Sequence, residues 1–247
     1  MCTFIIRWNP DTDWPAIIAC NRDEMIKRPS RPPGRHWIDR PDIVAGFDEE
    51  AGGSWLGIND YGVIAGILNR TDSLGWTVGK RSRGELILEA LDHPDAVDAV
   101  RAVSEINGDA YRTFNMIVVD NRDAFWIKHD GVEQIVCHPL PIGTSMLTAE
   151  NLNDLNAPRI AHHLEDARNA KEINPKTAVW TEWKSILSDR TPYVKDNPLT
   201  ATNIETDYGF GTVSSSFLAI PGTTRNKPIW LFCDAPPDQE SFVPVQI

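Results

Sequence analysis

A cysteine at position 2 is the first residue in this chain with the means to do covalent chemistry. If Met1 is removed, that one residue carries a thiol nucleophile and a free α-amine able to act as its base. The amine titrates near about 8 and a free thiol near about 8.5, so around neutral pH the amine can accept the thiol proton, directly or through water. The thiolate can then attack an amide or ester carbonyl. Such a site needs a carboxylate to orient the amine, a cation to favour the thiolate and neutral donors for the oxyanion. Asp23 and Arg22 supply the first two within Asn21-Arg22-Asp23-Glu24, and Asn69 is a candidate oxyanion donor. Spacing alone leaves alternatives open. Residues 22–24 also read as a solvated turn, and Asn69 as a turn residue before Arg70-Thr71-Asp72.

The elements that must position these residues follow from patterning. Thr3–Trp8 is β-branched and aromatic and is stopped by Asn9-Pro10-Asp11, which predicts a strand; residues 14–20 read as its antiparallel partner, bringing 21–24 back beside Cys2. Residues 28–35 hold three prolines and read as an ordered loop or flap. Residues 43–47, 54–59 and 62–69 read as a β-meander. Ser82-Arg83-Gly84-Glu85 reads as a capping box opening a helix, and Asp92 or His93-Pro94 opens a second helix through about Ile106. Strands follow at 113–120, 124–129 and 132–137, helices at 158–170 and 178–187, and a closing hairpin at 211–220 and 229–232. Trp180 and Trp183 read as helix packing. Segregated runs of strands and helices argue for an α+β layered domain with antiparallel sheets, and the chain is expected to be one domain over residues 1–247.

Composition excludes several classes. With 35 acidic against 24 basic residues the formal charge is −11, which disfavours nucleic acid and anionic membranes as partners. No run of 18 apolar residues and no signal-peptide pattern is present, so the expected location is cytoplasmic with no membrane span. Cys2, Cys20, Cys137 and Cys233 are spread without a CxxC pair and read as reduced thiols. The GxGxxG and Walker patterns are absent, and no cofactor is expected. Adjacent helical residues point about 100° apart, so His162-His163 reads as a solvated face and no metal site is expected.

Six motifs in order then carry a resemblance. Met1-Cys2-Thr3, Asn21-Arg22-Asp23-Glu24 followed by Arg28-Pro29, residues 52–59 (GGSWLGIN), Ser82-Arg83-Gly84, Phe114-Asn115-Met116 and residues 211–216 (GTVSSS) are similar to those of the NRDE family, the Transport and Golgi organisation protein 2 group. That family in turn resembles the N-terminal nucleophile hydrolases, especially bile salt hydrolase and penicillin V acylase. The resemblance implies a four-layer αββα sandwich of two antiparallel sheets. It also implies a Cys2 nucleophile, Asp23 holding the amine, Asn69 at an oxyanion position and Arg22 as an arginine of uncertain register. Asn21, Glu24, Trp55 and Asn59 are the implied binding residues.

The implied ligand is a small linear amide, or an amphipathic metabolite with haem the first to try, since relatives are linked to haem mobilisation. His36, His129 and His138 are the candidate axial ligands, each with a structural alternative. Two departures stand against turnover. Thr148-Ala149 lacks the second oxyanion asparagine of the hydrolases unless Asn151 takes its place, and Val213 replaces an active-site arginine.

Overall fold

In a computed structural model, residues 2–247 other than Trp76, Glu133, Lys171, Glu172 and Thr224 are described. Met1, whose removal the nucleophile requires, lies outside the described residues. In chain order the elements are β1 (Thr3–Trp8), β2 (Ala16–Met25), β3 (Ser30–Gly34), β4 (Ile43–Asp48), β5 (Leu56–Asn59), β6 (Ile64–Asn69), α1 (Glu85–Leu91), α2 (Ala96–Glu105), β7 (Phe114–Val119) and β8 (Ala124–His129). They continue with β9 (Val136–Pro139), β10 (Gly143–Leu147), α3 (Pro158–Asn169), α4 (Thr181–Ser188), β11 (Phe210–Ile220), β12 (Ile229–Cys233) and β13 (Val243–Pro244). The α+β class read from the sequence is the class observed.

Two compact units result. The first, residues 1–28 and 141–245, holds an antiparallel sheet ordered β10-β1-β2-β11-β12-β13. Ile5, Ile17, Ala19, Phe217 and Ala219 point from it into a core with Ile160, Leu164, Trp183 and Leu187 of α3 and α4. Trp183 is fully buried, and Trp180 stacks on Phe217 with ring centroids 4.8 Å apart, so both tryptophans are core residues as expected. β10 carried no clear sequence signal; it pairs with β1 from Phe4↔Leu147 to Trp8↔Gly143.

The second unit, residues 29–140 and 246–247, holds a seven-stranded meander in strict order β3 to β9, with α1 and α2 packed on one face through Ala65, Ile67, Leu86, Val103, Phe114 and Met116. Three expectations fail here. Residues 28–35 are a strand in part: β3 pairs with β4 from Ser30↔Asp48, and Pro32-Pro33 fall in an irregular stretch of this edge strand, where a missing donor is tolerated. The capping box does not form either. The helix begins at Glu85 after Gly84, Ser82 Oγ accepts from the Gly84 N–H at 3.2 Å, and Glu85 pairs with Arg81 at 2.7 Å. The second helix opens later than expected, capped by Asp95, whose carboxylate accepts from Asp98 N at 2.9 Å.

The reason α1 starts late is a contact between backbones. A Cβ on Gly53 would stand 2.5 Å from the Gly84 carbonyl carbon, and Ser54 N donates to Gly84 O at 3.0 Å. Arg83 Nη1 meanwhile donates to Ser73 O, Ser73 Oγ and Thr113 O, each at 2.9 Å. The Gly-Gly and Ser-Arg-Gly motifs are thus two halves of one packed junction. Gly53→Ala is expected to destabilise the protein by about 1–3 kcal/mol, the usual cost of overpacking where neither backbone can yield. A urea midpoint unchanged from wild type would contradict this.

Candidate functional site

The register of β2 against its neighbours brings the candidate residues together. Thr3 stands opposite Asn21, and β11 runs antiparallel to β2 on its other side, with Thr212↔Asp23 and Ser215↔Asn21 on either side of a bulge at Val213. The motif at 21–24, which the turn alternative would have left solvated, lies inside a strand, with Asn21, Arg22 and Asp23 buried. Motifs some 190 positions apart therefore face each other. Successive side chains of a strand alternate in face, so Asn21 and Asp23 look one way and Arg22 the other.

Asp23 is 2% exposed, and its carboxylate is held from two directions. Thr212 Oγ1 donates to Oδ1 at 2.7 Å while itself accepting from Ile204 N at 2.9 Å. The Arg159 guanidinium reaches Oδ2 at 3.3 Å and Thr3 Oγ1 at 3.0 Å through Nη1, and donates to Leu199 O through Nη2. Arg159, on α3, is a site residue that sequence reasoning missed. The signal was present: Arg159, Ile160, His163, Leu164 and Ala167 are the buried residues of α3, and their spacing puts an arginine on its apolar stripe. A cation on the Asp23 carboxylate thus comes from a helix.

Cys2 is half-buried just before β1, and its sulfur lies against the main chain of Asp23, accepting from Asp23 N at 3.4 Å. Burial pushes the thiol pKa up, the Asp23 charge pushes it further, and the Asp23 N–H bond and the Arg22 charge oppose them. With Met1 in place the group is a thiol at neutral pH. Its alkylation by iodoacetamide, followed by peptide mass mapping, is expected to be slow at pH 7 and to accelerate by about tenfold per pH unit past the range where free cysteine levels off. A rate already at its plateau by pH 8 would contradict this. Cys20 is buried and its pKa is likewise pushed up, first by burial.

The remaining candidates divide. Both Asn21 amide protons are spent, on Leu187 O and Thr202 O at 2.9 Å each, and its oxygen accepts from Ser215 Oγ at 2.6 Å. Asn21 thus ties the sheet to α4 and the segment after it. Asn59 is equally committed: Nδ2 donates to Leu91 O and His93 O, and Oδ1 accepts from Tyr61 N and Val63 N. These four bonds tie Asn59 to the end of α1 and to its own turn. Trp55 covers Gly46, where a Cβ would stand 2.3 Å from the ring. Glu24 sits 3.8 Å from Arg28. Asn69 ends β6, half-buried and opposite Phe114, and belongs with Trp55 and Asn59 to the second unit. Ala149 is buried and Asn151 exposed.

Comparison with known proteins decides the family. The family profile described as Transport and Golgi organisation 2 matches residues 1–227. The chain belongs to that family. Among relatives of the Transport and Golgi organisation family, the human Transport and Golgi organization protein 2 homolog is 33% identical over 129 residues. That stretch is 49% of this chain and 45% of the human protein, so the match spans less than half the relative's length.

Three solved structures share the fold. The Caenorhabditis elegans ortholog of N-acylethanolamine-hydrolyzing acid amidase has a TM-score of 0.59 at 16% identity, covering 90% of this chain and 94% of that one. Penicillin V acylase from Agrobacterium tumefaciens has a TM-score of 0.53 at 13% identity, covering 95% and 83%. A conjugated bile acid hydrolase variant from Clostridium perfringens has a TM-score of 0.56 at 12% identity, covering 99% and 92%. At these identities the likeness shows the fold alone. Among the described residues, no helix is long and apolar enough to cross a membrane.

Proposed function

We propose that this family member is a cysteine amidohydrolase acting on a small linear amide, with Cys2 as nucleophile once Met1 is removed. The observation that carries the reading is Cys2 Sγ set against the main chain of Asp23, whose buried carboxylate is fixed by Thr212 and Arg159. The fold neighbours are named as an amidase, an acylase and a hydrolase, which supports acyl transfer as the reaction class. Cys2 Sγ attacks the carbonyl and its proton passes to the Cys2 amine. The amine then gives that proton to the departing nitrogen, leaving a thioester that water hydrolyses. Asp23 positions the amine and Arg22 favours the thiolate.

The test compares chain with Met1 retained and chain with Met1 removed, offered short N-acyl amides and read by intact mass. The reading expects a thioester adduct on Cys2 only in the processed chain. Native protein that keeps Met1 throughout would sink it, since an acylated nitrogen cannot serve as base.

A second reading, a non-catalytic carrier of haem or another amphipathic metabolite, is favoured by the burial that raises the Cys2 thiol pKa and by Ala149 standing where the resemblance implies an oxyanion asparagine. It predicts a Soret shift on haemin titration together with no adduct in either form. His36 is half-buried and meets Trp37 edge-on, His138 is exposed and stacks on Trp126, and His129 is buried.

A further inference from the structure

The expectation that His162-His163 is a solvated face holds for only one of the pair. His162 is exposed, but His163 lies one turn from Arg159 on the buried stripe of α3 and is 5% exposed. The segment after α4 folds over them. Tyr193 stacks on the His162 ring with centroids 4.1 Å apart, and its hydroxyl touches His163 Nε2 while lying 2.9 Å from Asp189 Oδ2. Ligand atoms of His162, His163 and Asp189 all come within 4.8 Å of one another.

The hydrogen bonding of this group does not close. Tyr193 has one hydroxyl proton, and His163 Nδ1 has no partner among the described residues. If His163 carries its proton on Nε2, the chain from Nε2 through Tyr193 to Asp189 is satisfied and the Nδ1 lone pair is left buried and unmatched. If the proton is on Nδ1, that N–H is unmatched and the single tyrosine proton must serve two acceptors, Nε2 and Asp189. In the second tautomer Nε2 and Asp189 compete for one proton, and in neither tautomer is the buried Nδ1 matched.

We propose that His162, His163 and Asp189 bind one divalent transition-metal ion of the zinc class. Nitrogen and carboxylate donors in this combination suit zinc. Bonds of about 2.0–2.1 Å in a tetrahedral site set ligand atoms roughly 3.4 Å apart, and His163 Nε2 and Asp189 Oδ2 already stand 3.7 Å apart. The Tyr193 hydroxyl sits where it can become a further ligand or hydrogen-bond to one. A metal here would clamp α3 to the segment whose carbonyls hold the site: Leu199 O accepts from Arg159, Thr202 O accepts from Asn21, and Thr202 Oγ1 donates to Asp189 O at 3.0 Å. The proposal is independent of whether Cys2 turns over.

The experiment titrates Co²⁺ into tag-free, metal-stripped full chain, follows the visible ligand-field bands and then displaces Co²⁺ with Zn²⁺. One Co²⁺ per chain is expected, displaced by Zn²⁺. His162→Ala removes an exposed side chain and so spares the fold; it is expected to weaken binding at least tenfold. Asp189→Asn should act in the same direction. Cys2→Ser should leave the affinity unchanged, which separates this site from a thiolate site at the start of the chain. Absence of the bands in wild type, equal affinity in His162→Ala, or loss of binding in Cys2→Ser alone would each overturn the assignment.

Discussion

Replacing Cys2 with alanine is expected to abolish amide hydrolysis and thioester formation by the processed chain while leaving the fold intact. Loss of a nucleophile that works as a unit with its base costs on the order of 10⁶ in turnover. The fold should survive because the sulfur is half-buried and its polar contacts among the described residues are weak, at 3.4 and 3.9 Å to the Asp23 backbone. Cys2→Ser isolates the chemistry: it keeps the shape and the amine but replaces the thiol with a far weaker acid, so it should be nearly as inactive. Steady-state hydrolysis of a short N-acyl amide, alongside thermal unfolding, separates the two properties. Residual turnover of Cys2→Ala near the wild-type level would remove the nucleophile assignment and shift weight to the carrier reading.

The second large effect belongs to the Asp23–Arg159 pair. Both side chains are almost wholly buried, with exposures of 0% and 4%. Asp23→Ala strands a guanidinium without its counter-charge, at a cost of about 3–5 kcal/mol. Arg159→Met in the same chain should recover part of that loss, because a buried pair replaced by apolar groups is often near neutral. A urea-unfolding double-mutant cycle measures the coupling, and strictly additive losses would mean that the pair does not interact. Asp23→Asn carries a separate readout. Removing a negative charge that raises the Cys2 pKa should lower it and speed alkylation at neutral pH. A purely structural role for Asp23 would leave that profile where it was.

Local signals made much of this protein legible. Thr3–Trp8 and Ala124–His129 are strands with the bounds their β-branched and aromatic runs predict. α3 and α4 fall within a few residues of their apolar stripes, because burying one helical face imposes a period that survives in sequence. Edge elements were harder. β3 carries two prolines, and β10 is a short run whose strand character comes from pairing with β1 rather than from its own composition. The capping box at 82–85 was a local rule overridden by a contact formed elsewhere, the approach of Gly53 to Gly84.

The sequence by itself determined the nucleophile candidate, the α+β class and the order of motifs that marks the family, because residue chemistry and periodicity are properties of neighbours along the chain. Only the tertiary structure decided which of those residues meet. Thr212 reaches Asp23 because a bulge at Val213 sets the register, and Arg159 reaches it because a helix presents an arginine on its buried stripe. Asn21 and Asn59 proved to be ties between elements, since the carbonyls that use up their amides come from helix ends and turns far off in sequence. Register, burial and the partner of a buried charge arise from pairing distant segments, and no local pattern encodes which segments pair.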